Sequence, residues 1–135
     1  MTPTARFSLE THDGPYEDWP LRSRVLADGA PTTTKLSGYN LLHQFAVTSG
    51  YLLITDFDCP FEETTVFTLL DPALQILAKK SLGVPYGSFL LDRVEVKGPN
   101  ELIVVLYDND RWRLTIAPRQ WLSGMRLSIR RLDNA

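Results

Sequence analysis

The stretch that decides the fold is residues 102–116, LIVVLYDNDRWRLTI. Its first six residues are continuously apolar and rich in β-branched side chains, which is typical of a central strand covered on both faces. The turn-forming letters DND follow at 108–110, and Asp and Asn tolerate the positive φ of tight turns. Residues 111–116 then alternate with period two, which places Trp112 on the face that the core would cover. The stretch therefore predicts a hairpin of one buried and one half-buried strand.

The same two patterns recur along the chain. Residues 93–97 (RVEVK) and 125–130 (MRLSIR) alternate like half-buried strands, and residues 51–55 (YLLIT) form a second continuously apolar run. Turn residues precede or follow these runs at 48–50 (TSG) and 98–100 (GPN), as hairpins require. The whole pattern predicts an all-β, antiparallel protein.

One stretch, DPALQILAKKSLG from Asp71 to Gly83, admits two interpretations. Its Asp-Pro opening, its paired lysines and its final glycine would delimit a helix. The same Asp-Pro opening is also a good turn between a strand at 66–70 and another at 74–78. We favour the hairpin, because it completes an order of strands that occurs twice.

Residues 45–83 and 94–132 show the same order of elements: a short strand, a turn with glycine, a strongly apolar strand, an aspartate, a loop and two further strands. The offset between the two units is about fifty residues. Each unit resembles the four-stranded up-and-down meander of a β-propeller blade, and two units are too few to close a propeller. The resemblance therefore implies two four-stranded antiparallel meanders, packed as a sandwich or a flattened barrel.

A chain of 135 residues is expected to form a single domain. Before the first meander, proline and glycine interrupt the sequence often, which predicts edge strands at 5–9 and 22–26 within covering loops. The expected divisions are N-terminal edge strands and loops (1–38), a first meander (39–83) and a second meander (84–135).

Charge is unevenly distributed along the chain, although the formal net charge is only −2. Residues 1–63 carry four basic and nine acidic side chains, a net charge of −5, whereas residues 64–135 carry ten basic and seven acidic ones, a net charge of +3. The near-neutral total argues against nucleic acid as a partner. No apolar run approaches the ~18 residues of a membrane span, and a single cysteine excludes a disulfide scaffold. The opening residues contain no apolar stretch of a secretory signal, so we expect a cytoplasmic protein that does not bind membranes.

The acidity is greatest at residues 56–63, DFDCPFEE, which hold four carboxylates in eight residues. We predict that this segment docks onto another protein that has a basic surface or cleft, with carboxylates at the rim and phenylalanines as apolar anchors. The candidate partner-binding residues are Asp56, Phe57, Asp58, Phe61, Glu62 and Glu63. A calcium site, a catalytic carboxylate pair and a solvated loop with its phenylalanines in the core are the alternatives.

No catalytic motif stands out in the sequence. His12 and His43 are the only imidazoles, and neither has a second histidine at ligand spacing. Cys59 lies among carboxylates, whose charge disfavours the thiolate that a nucleophile needs. We therefore expect a non-enzymatic protein without a cofactor. The alternative is a small-ligand- or Ca²⁺-binding β-sandwich, or an enzyme, with a cavity near Trp19, Tyr39 and His43.

The solvent-exposed faces of the last two predicted strands carry Arg111, Arg113, Arg126 and Arg130. Such a face could bind RNA or an acidic ligand. Sheets that bind RNA also expose aromatic residues on the same face, whereas the alternation places Trp112 on the other one. We therefore predict that the arginines form cross-strand ion pairs with Asp108, Glu95 or Glu101.

In its size, its acidic segment and its lack of catalytic motifs, the chain is similar to the small, cytoplasmic, all-β immunity proteins that bacteria keep against antibacterial toxins. This resemblance implies an inhibitor that neutralises a toxin or enzyme by binding it. The carboxylates of residues 56–63 would then occupy the basic cleft of the toxin.

Overall fold

The computed structural model describes residues 1–57, 64–83, 90–118 and 124–132. Within these ranges the protein consists of antiparallel strands and two single-turn 3-10 helices, Tyr16–Asp18 and Tyr107–Asn109. The strands are β1 (Thr2–Pro3), β2 (Phe7–Leu9), β3 (Arg22–Ala27), β4 (Ala30–Ser37), β5 (Asn40–Val47), β6 (Gly50–Asp56), β7 (Thr65–Leu70), β8 (Ile76–Leu82), β9 (Leu91–Gly98), β10 (Glu101–Leu106), β11 (Asp110–Pro118) and β12 (Met125–Arg131). In the described ranges no helix has the length and hydropathy needed to cross a membrane. The predicted all-β class is confirmed.

The strands form three antiparallel sheets. Strands β5, β6, β7 and β8 follow one another as a meander, and β1 joins it beside β5, with Thr2 opposite Ala46. Strands β9, β10, β11 and β12 form a second meander, and β2, β3 and β4 form a small third sheet. Both expected four-stranded meanders are therefore present. Whether their sequences are copies of one another stays a prediction.

The two central strands of the first meander, β6 and β7, are buried on both faces. On one face Ile54 and Phe67 pack in the main core together with Val104 of the second meander. On the opposite face Leu53 and Leu70 pack against the small third sheet. Because successive side chains of a strand point to opposite faces, β6 and β7 need apolar residues at nearly every position. The two meanders form the expected sandwich, and the third sheet adds a further layer on its outside.

The N-terminal region differs from the expected edge strands and loops. Strands β2 and β3 lie where edge strands were predicted, but they pair with each other and with β4. Gln44 of β5 takes the place of a strand neighbour for β2, since its amide accepts the Phe7 N–H at 2.9 Å and donates to the Phe7 carbonyl at 2.9 Å. Strand β4 was missed because its sequence, APTTTKLS, has a single large apolar residue, Leu36, which is fully buried.

Residues 76–82 form strand β8, so the hairpin prediction is correct and the helical alternative is wrong. The Asp71 carboxylate accepts the Gln75 N–H at 2.9 Å, and Leu74 has a φ of 67°, which ends any helical turn. The strand begins two residues later than the 74 expected from sequence and pairs along β7. Long-range pairing with a buried strand outweighs the local helix signals.

The stretch that opened the sequence analysis folds as predicted. Strand β10 pairs with β9 on one side and β11 on the other, and five of its six residues are buried. Asp108 and Asn109 of the connecting turn have φ values of 62° and 58°, in the left-handed region that these residue types tolerate. Trp112 packs against the main core, as its alternation predicted, whereas Tyr107 lies in the turn and is exposed.

Candidate functional site

Five aromatic side chains from three chain segments form what we call the aromatic cluster: His12, Tyr16, Trp19, Tyr39 and Phe57. Tyr39 is at its centre, with its ring centroid 5.4 Å from His12, 5.6 Å from Tyr16, 5.2 Å from Trp19 and 5.5 Å from Phe57. All four contacts are edge-to-face, the arrangement that the ring quadrupoles favour. Mutual contacts therefore hold the rings in one geometry.

Main-chain contacts place Tyr39 beside Phe57. Gly38 has a φ of +118°, and a Cβ there would lie 2.7 Å from the Asp56 carbonyl oxygen, so glycine is required. The Tyr39 N–H donates to that same oxygen at 2.8 Å, and the Asn40 amide donates to the Asp56 carboxylate at 2.9 Å. The start of β5 is thus joined to the end of β6, which fixes the positions of both rings.

The polar ends of two rings are bound to the main chain. The Tyr16 hydroxyl donates to the Phe57 carbonyl at 3.1 Å, and the Trp19 indole N–H donates to the Gly14 carbonyl at 3.2 Å. These bonds set the orientation of both side chains. Because the donors are used inside the protein, the rings offer a ligand mainly their apolar and π surfaces.

A cleft of about 460 Å³ opens beside the aromatic cluster. It is lined by four rings, one aliphatic side chain, one carboxylate and two hydroxyl side chains: Tyr16, Trp19, Tyr39, Phe57, Leu21, Glu17, Ser37 and Thr64. Leu21 is 75% exposed and Tyr16 is 43% exposed, so the cleft is open to solvent. Its volume lies within the range of about 300–1,000 Å³ that small-molecule sites and side-chain pockets occupy.

Carboxylates dominate the charge around the cleft. Glu17 lines it, Asp18 follows in the same 3-10 helix, and neither forms an ion pair within the part of the chain that the structure describes. One basic group reaches the lining, since the Lys79 ammonium donates at 2.8 Å to the hydroxyl of Ser37, a lining residue. Arg22 lines a separate cleft on the β4 side. A cationic ligand is therefore favoured over an anionic one.

Two of the six predicted partner-binding residues belong to this site. Phe57 lines the cleft, and Asp56 anchors the turn behind it. The other four, Asp58, Phe61, Glu62 and Glu63, lie outside the described residues, as does Cys59. In the sequence, residues 58–63 connect Phe57 to Thr64, and both Phe57 and Thr64 line the cleft.

The cavity expected near Trp19, Tyr39 and His43 is present at the first two residues, but His43 does not line it. The His43 ring instead stacks on Phe45 with centroids 6.2 Å apart, and burial lowers the pKa of its imidazole. His12 is the histidine that joins the cluster. Sequence reasoning missed His12 and Tyr16 because glycine and proline separate the aromatic residues, so no period assigns them to a common face.

A serine–histidine pair lies behind the cluster, but its hydrogen bonds do not suit a nucleophile. His12 Nε2 lies 2.8 Å from Ser23 Oγ, and Ser23 Oγ lies 2.6 Å from the Gly38 carbonyl oxygen. A carbonyl only accepts, so the hydroxyl proton goes to Gly38 and the histidine is the donor to Ser23. Ser23 is also completely buried. The pair therefore stabilises the main chain at Gly38. In this arrangement His12 donates to Ser23, so it is not placed as the base that would activate the serine.

Cross-strand pairing explains part of the arginine-rich face of the second meander. Arg111 pairs with Glu95 at 2.9 Å and Arg113 with Glu101 at 2.9 Å, as predicted. The hydrogen bond from Arg111 lowers the pKa of the Glu95 carboxyl. Asp108, the third predicted partner, forms no ion pair with another described residue. These arginines thus face carboxylates of their own sheet.

Among the described residues, no group of three or more His, Cys, Asp or Glu side chains could hold a metal ion. Of the carboxylates of the calcium alternative, Asp56 belongs to the described residues and accepts from the Asn40 amide, whereas those at positions 58, 62 and 63 lie outside them, so that alternative stays a prediction. Comparisons with protein-family models, curated proteins and solved structures find no match for this chain. What the site does is therefore inferred from its own geometry and charge.

Proposed function

We propose that this protein is a non-enzymatic protein-binding module, and that a basic segment of its partner docks in the aromatic cleft. The observation that carries the proposal is the cleft itself, in which four aromatic rings surround a space open to solvent beside the Glu17 carboxylate. Most of the other large apolar side chains among the described residues pack into two cores, and the exposed exceptions Ile76, Val96 and Tyr107 do not line the cleft. Rings held in order around an open space are the kind of surface that serves recognition.

The residue types support binding to a protein. Tyrosine and tryptophan are enriched at the energetically dominant positions of interfaces, where they bury large areas at a small entropic cost. Here the contacts of Tyr39 and the main-chain hydrogen bonds of Tyr16 and Trp19 order the rings before any partner arrives. A pre-ordered surface loses less entropy on binding, which favours affinity.

The charge of the site supports a basic partner. Glu17 and Asp18 flank the rings, and Phe57 and Thr64, the sequence neighbours of the acidic residues 58–63, line the cleft. Such a distribution of negative charge would accelerate encounters with a positively charged surface. Inhibition of a toxin or enzyme through its basic cleft, as in the immunity proteins that the sequence resembles, is the form of binding we propose.

The experiment is affinity capture from native lysate with five versions of the protein: the wild type, two cleft variants and two controls. We expect a stoichiometric protein partner with the wild type that is lost with Trp19→Ala and with Glu17→Lys. The matched controls are Tyr107→Ala, which removes an exposed ring of the second meander, and Asp92→Lys, which reverses an exposed charge on β9. Both controls should retain the partner.

Two results would contradict the proposal. One is a partner that every variant retains, which would move the binding surface elsewhere on the molecule. The other is the absence of any partner together with a rise in melting temperature on adding Ca²⁺ or a small molecule. That result would favour the alternative of a ligand-binding β-sandwich, for which the cleft volume of about 460 Å³ is also suitable.

A further inference from the structure

We propose that the cleft binds the head group of an N-methylated lysine side chain of the partner. This inference rests on the proposed function, since it names the chemical group that the docking site takes. It follows from three features of the cleft: the number of its rings, the presence of a single carboxylate among its described lining residues, and the position of its charges.

The rings are the first feature. Tyr16, Trp19, Tyr39 and Phe57 all line one cleft, and successive rings stand at steep angles to one another. Tyr39 lies at 86° to Trp19 and at 88° to Phe57. Faces at such angles can surround a compact, roughly spherical group from several sides. A cation within about 6 Å of a ring centroid is attracted by the ring quadrupole, and the attraction is greatest for weakly hydrated cations.

Hydrogen bonding is the second feature, and it separates the candidate cations. An arginine brings five N–H donors and an unmodified lysine three, all of which need acceptors once water is removed. Among the described residues, the side-chain acceptors on the lining are one carboxylate, that of Glu17, and the hydroxyl oxygens of Tyr16, Ser37, Tyr39 and Thr64. Those of Tyr16 and Ser37 already take part in hydrogen bonds with Phe57 and Lys79. A trimethylated ammonium carries the charge without any donor, so it needs no acceptor from the lining, and the ring attraction is greatest for such weakly hydrated cations. The aromatic lining therefore suits a methylated head group better than an unmodified one.

The charges are the third feature. Glu17 is a carboxylate on the lining without an ion-pair partner among the described residues. Lys79 of β8 reaches the lining through the hydrogen bond that its ammonium donates to the Ser37 hydroxyl. The two charges act in opposite directions on a bound cation, so the head group is expected on the Glu17 side, and removal of the Lys79 charge should strengthen binding.

The test is a nuclear magnetic resonance titration that follows the indole N–H signal of Trp19, assigned through its loss in Trp19→Phe. Three peptides of one sequence are compared: one with trimethyllysine, one with unmodified lysine, and one with the neutral isostere in which carbon replaces the quaternary nitrogen. We expect the trimethylated peptide to bind about tenfold more tightly than the neutral isostere, which lacks the cation–π attraction. It should also bind at least about threefold more tightly than unmodified lysine, whose ammonium carries the same charge but is more strongly hydrated.

Variants show where the head group lies. Glu17→Gln keeps the shape of the side chain and should weaken binding of the trimethylated peptide about threefold or more, whereas Lys79→Met should strengthen it. Tyr107→Ala, outside the cleft, should change neither the affinity nor the shift of the Trp19 signal. Because all three positions are at the surface, the folded state can be verified for each variant from the unchanged remainder of the spectrum.

Each of the other outcomes refutes the methylated-lysine site, and each can be told apart from a failure of the proposed function. Equal binding of the neutral isostere would show an apolar pocket, and equal binding of unmodified lysine would show general basic docking, which still agrees with a protein-binding module. A response to tetramethylammonium chloride alone, with none to the peptides, would indicate a small free ligand. No response to any probe would refute the methylated-lysine site, while affinity capture would still decide the proposed function.

Discussion

Trp112 contributes to the free energy of unfolding in two opposite ways, through the packing of its ring and through its unpaired indole N–H. Its ring packs against the main core, and the Arg131 guanidinium lies over it with the Cζ atom 4.7 Å from the ring centroid. Arg131 is itself held by both oxygens of Asp110, at 3.1 Å and 3.2 Å. The indole N–H, however, is buried and has no acceptor within the part of the chain that the structure describes. One side chain thus combines favourable packing with an unfavourable buried donor.

Two substitutions separate these contributions. Trp112→Phe removes the unpaired N–H, which relieves about 1–3 kcal/mol of desolvation, and loses apolar contact of a similar magnitude. The free energy of unfolding should therefore change by less than about 1 kcal/mol. Trp112→Ala removes the packing and the cation–π contact as well. Full truncation of a core aromatic costs about 3–5 kcal/mol, and since Trp112 is only partly buried we expect about 2–4 kcal/mol.

The measurement is equilibrium unfolding in urea followed by far-ultraviolet circular dichroism, which does not depend on tryptophan emission. The slope with urea should stay constant, so that midpoints report stability. Trp19→Phe is the matched control, because the Trp19 N–H has an acceptor in the Gly14 carbonyl and its removal loses that bond. A cost above about 2 kcal/mol for Trp112→Phe would show that the indole N–H has a partner after all. A change within about 0.5 kcal/mol for Trp112→Ala would place the ring on the surface and refute the register of β11.

Three further predictions follow from other parts of the molecule. Gly50→Ala should destabilise the protein by more than about 2 kcal/mol in urea unfolding, since Gly50 has a φ of +146° and a Cβ there would overlap the Leu70 carbonyl; a cost below about 0.5 kcal/mol would contradict the tight β5–β6 turn. Burial lowers the pKa of His43, so its contribution to stability is fully present above about pH 6.5 and is lost as the pH falls through the lower folded-state value. Between about pH 7 and about pH 5 the wild type should therefore lose more stability than His43→Gln, and parallel losses would refute this. Asp58→Lys and Glu62→Lys should each abolish capture of the partner from native lysate, and retention of the partner by both would remove the acidic segment from the interface.

The strands of the two meanders could be predicted from the sequence because the patterns that indicate them are formed by neighbouring residues. The period-two alternation around Trp112 and the continuous apolar run of β10 reflect which faces of each strand are buried. About six residues are enough for either pattern to be recognised in a sequence. The turn at Asp108 and Asn109 needs positive φ, which the residue types themselves permit. The ion pairs Arg111–Glu95 and Arg113–Glu101 follow from strand alternation once the register is known.

The candidate site was only partly predictable. Phe57 was expected in a docking surface because of the carboxylates around it, and Trp19 and Tyr39 were expected near a cavity. Their union in one site was not expected, and His43 was wrongly assigned to that cavity in place of His12. Composition does not show which of the two histidines lies beside the other aromatic rings. In the fold the His43 ring stacks on Phe45 of its own strand, β5, whereas His12 contacts Tyr39.

By itself the sequence determined the all-β class and the hairpins of both meanders, because period, turn chemistry and apolar runs act between neighbouring residues. It also favoured a strand at 74–78 over a helix, where the structure has β8 at 76–82. Only the tertiary structure decided that the N-terminal strands form their own sheet on the outside of the first meander. It also decided the aromatic cleft, in which Tyr16 donates a hydrogen bond to Phe57, 41 residues further along the chain. Contacts over such separations depend on how whole sheets stack, and no local pattern of residues records that stacking.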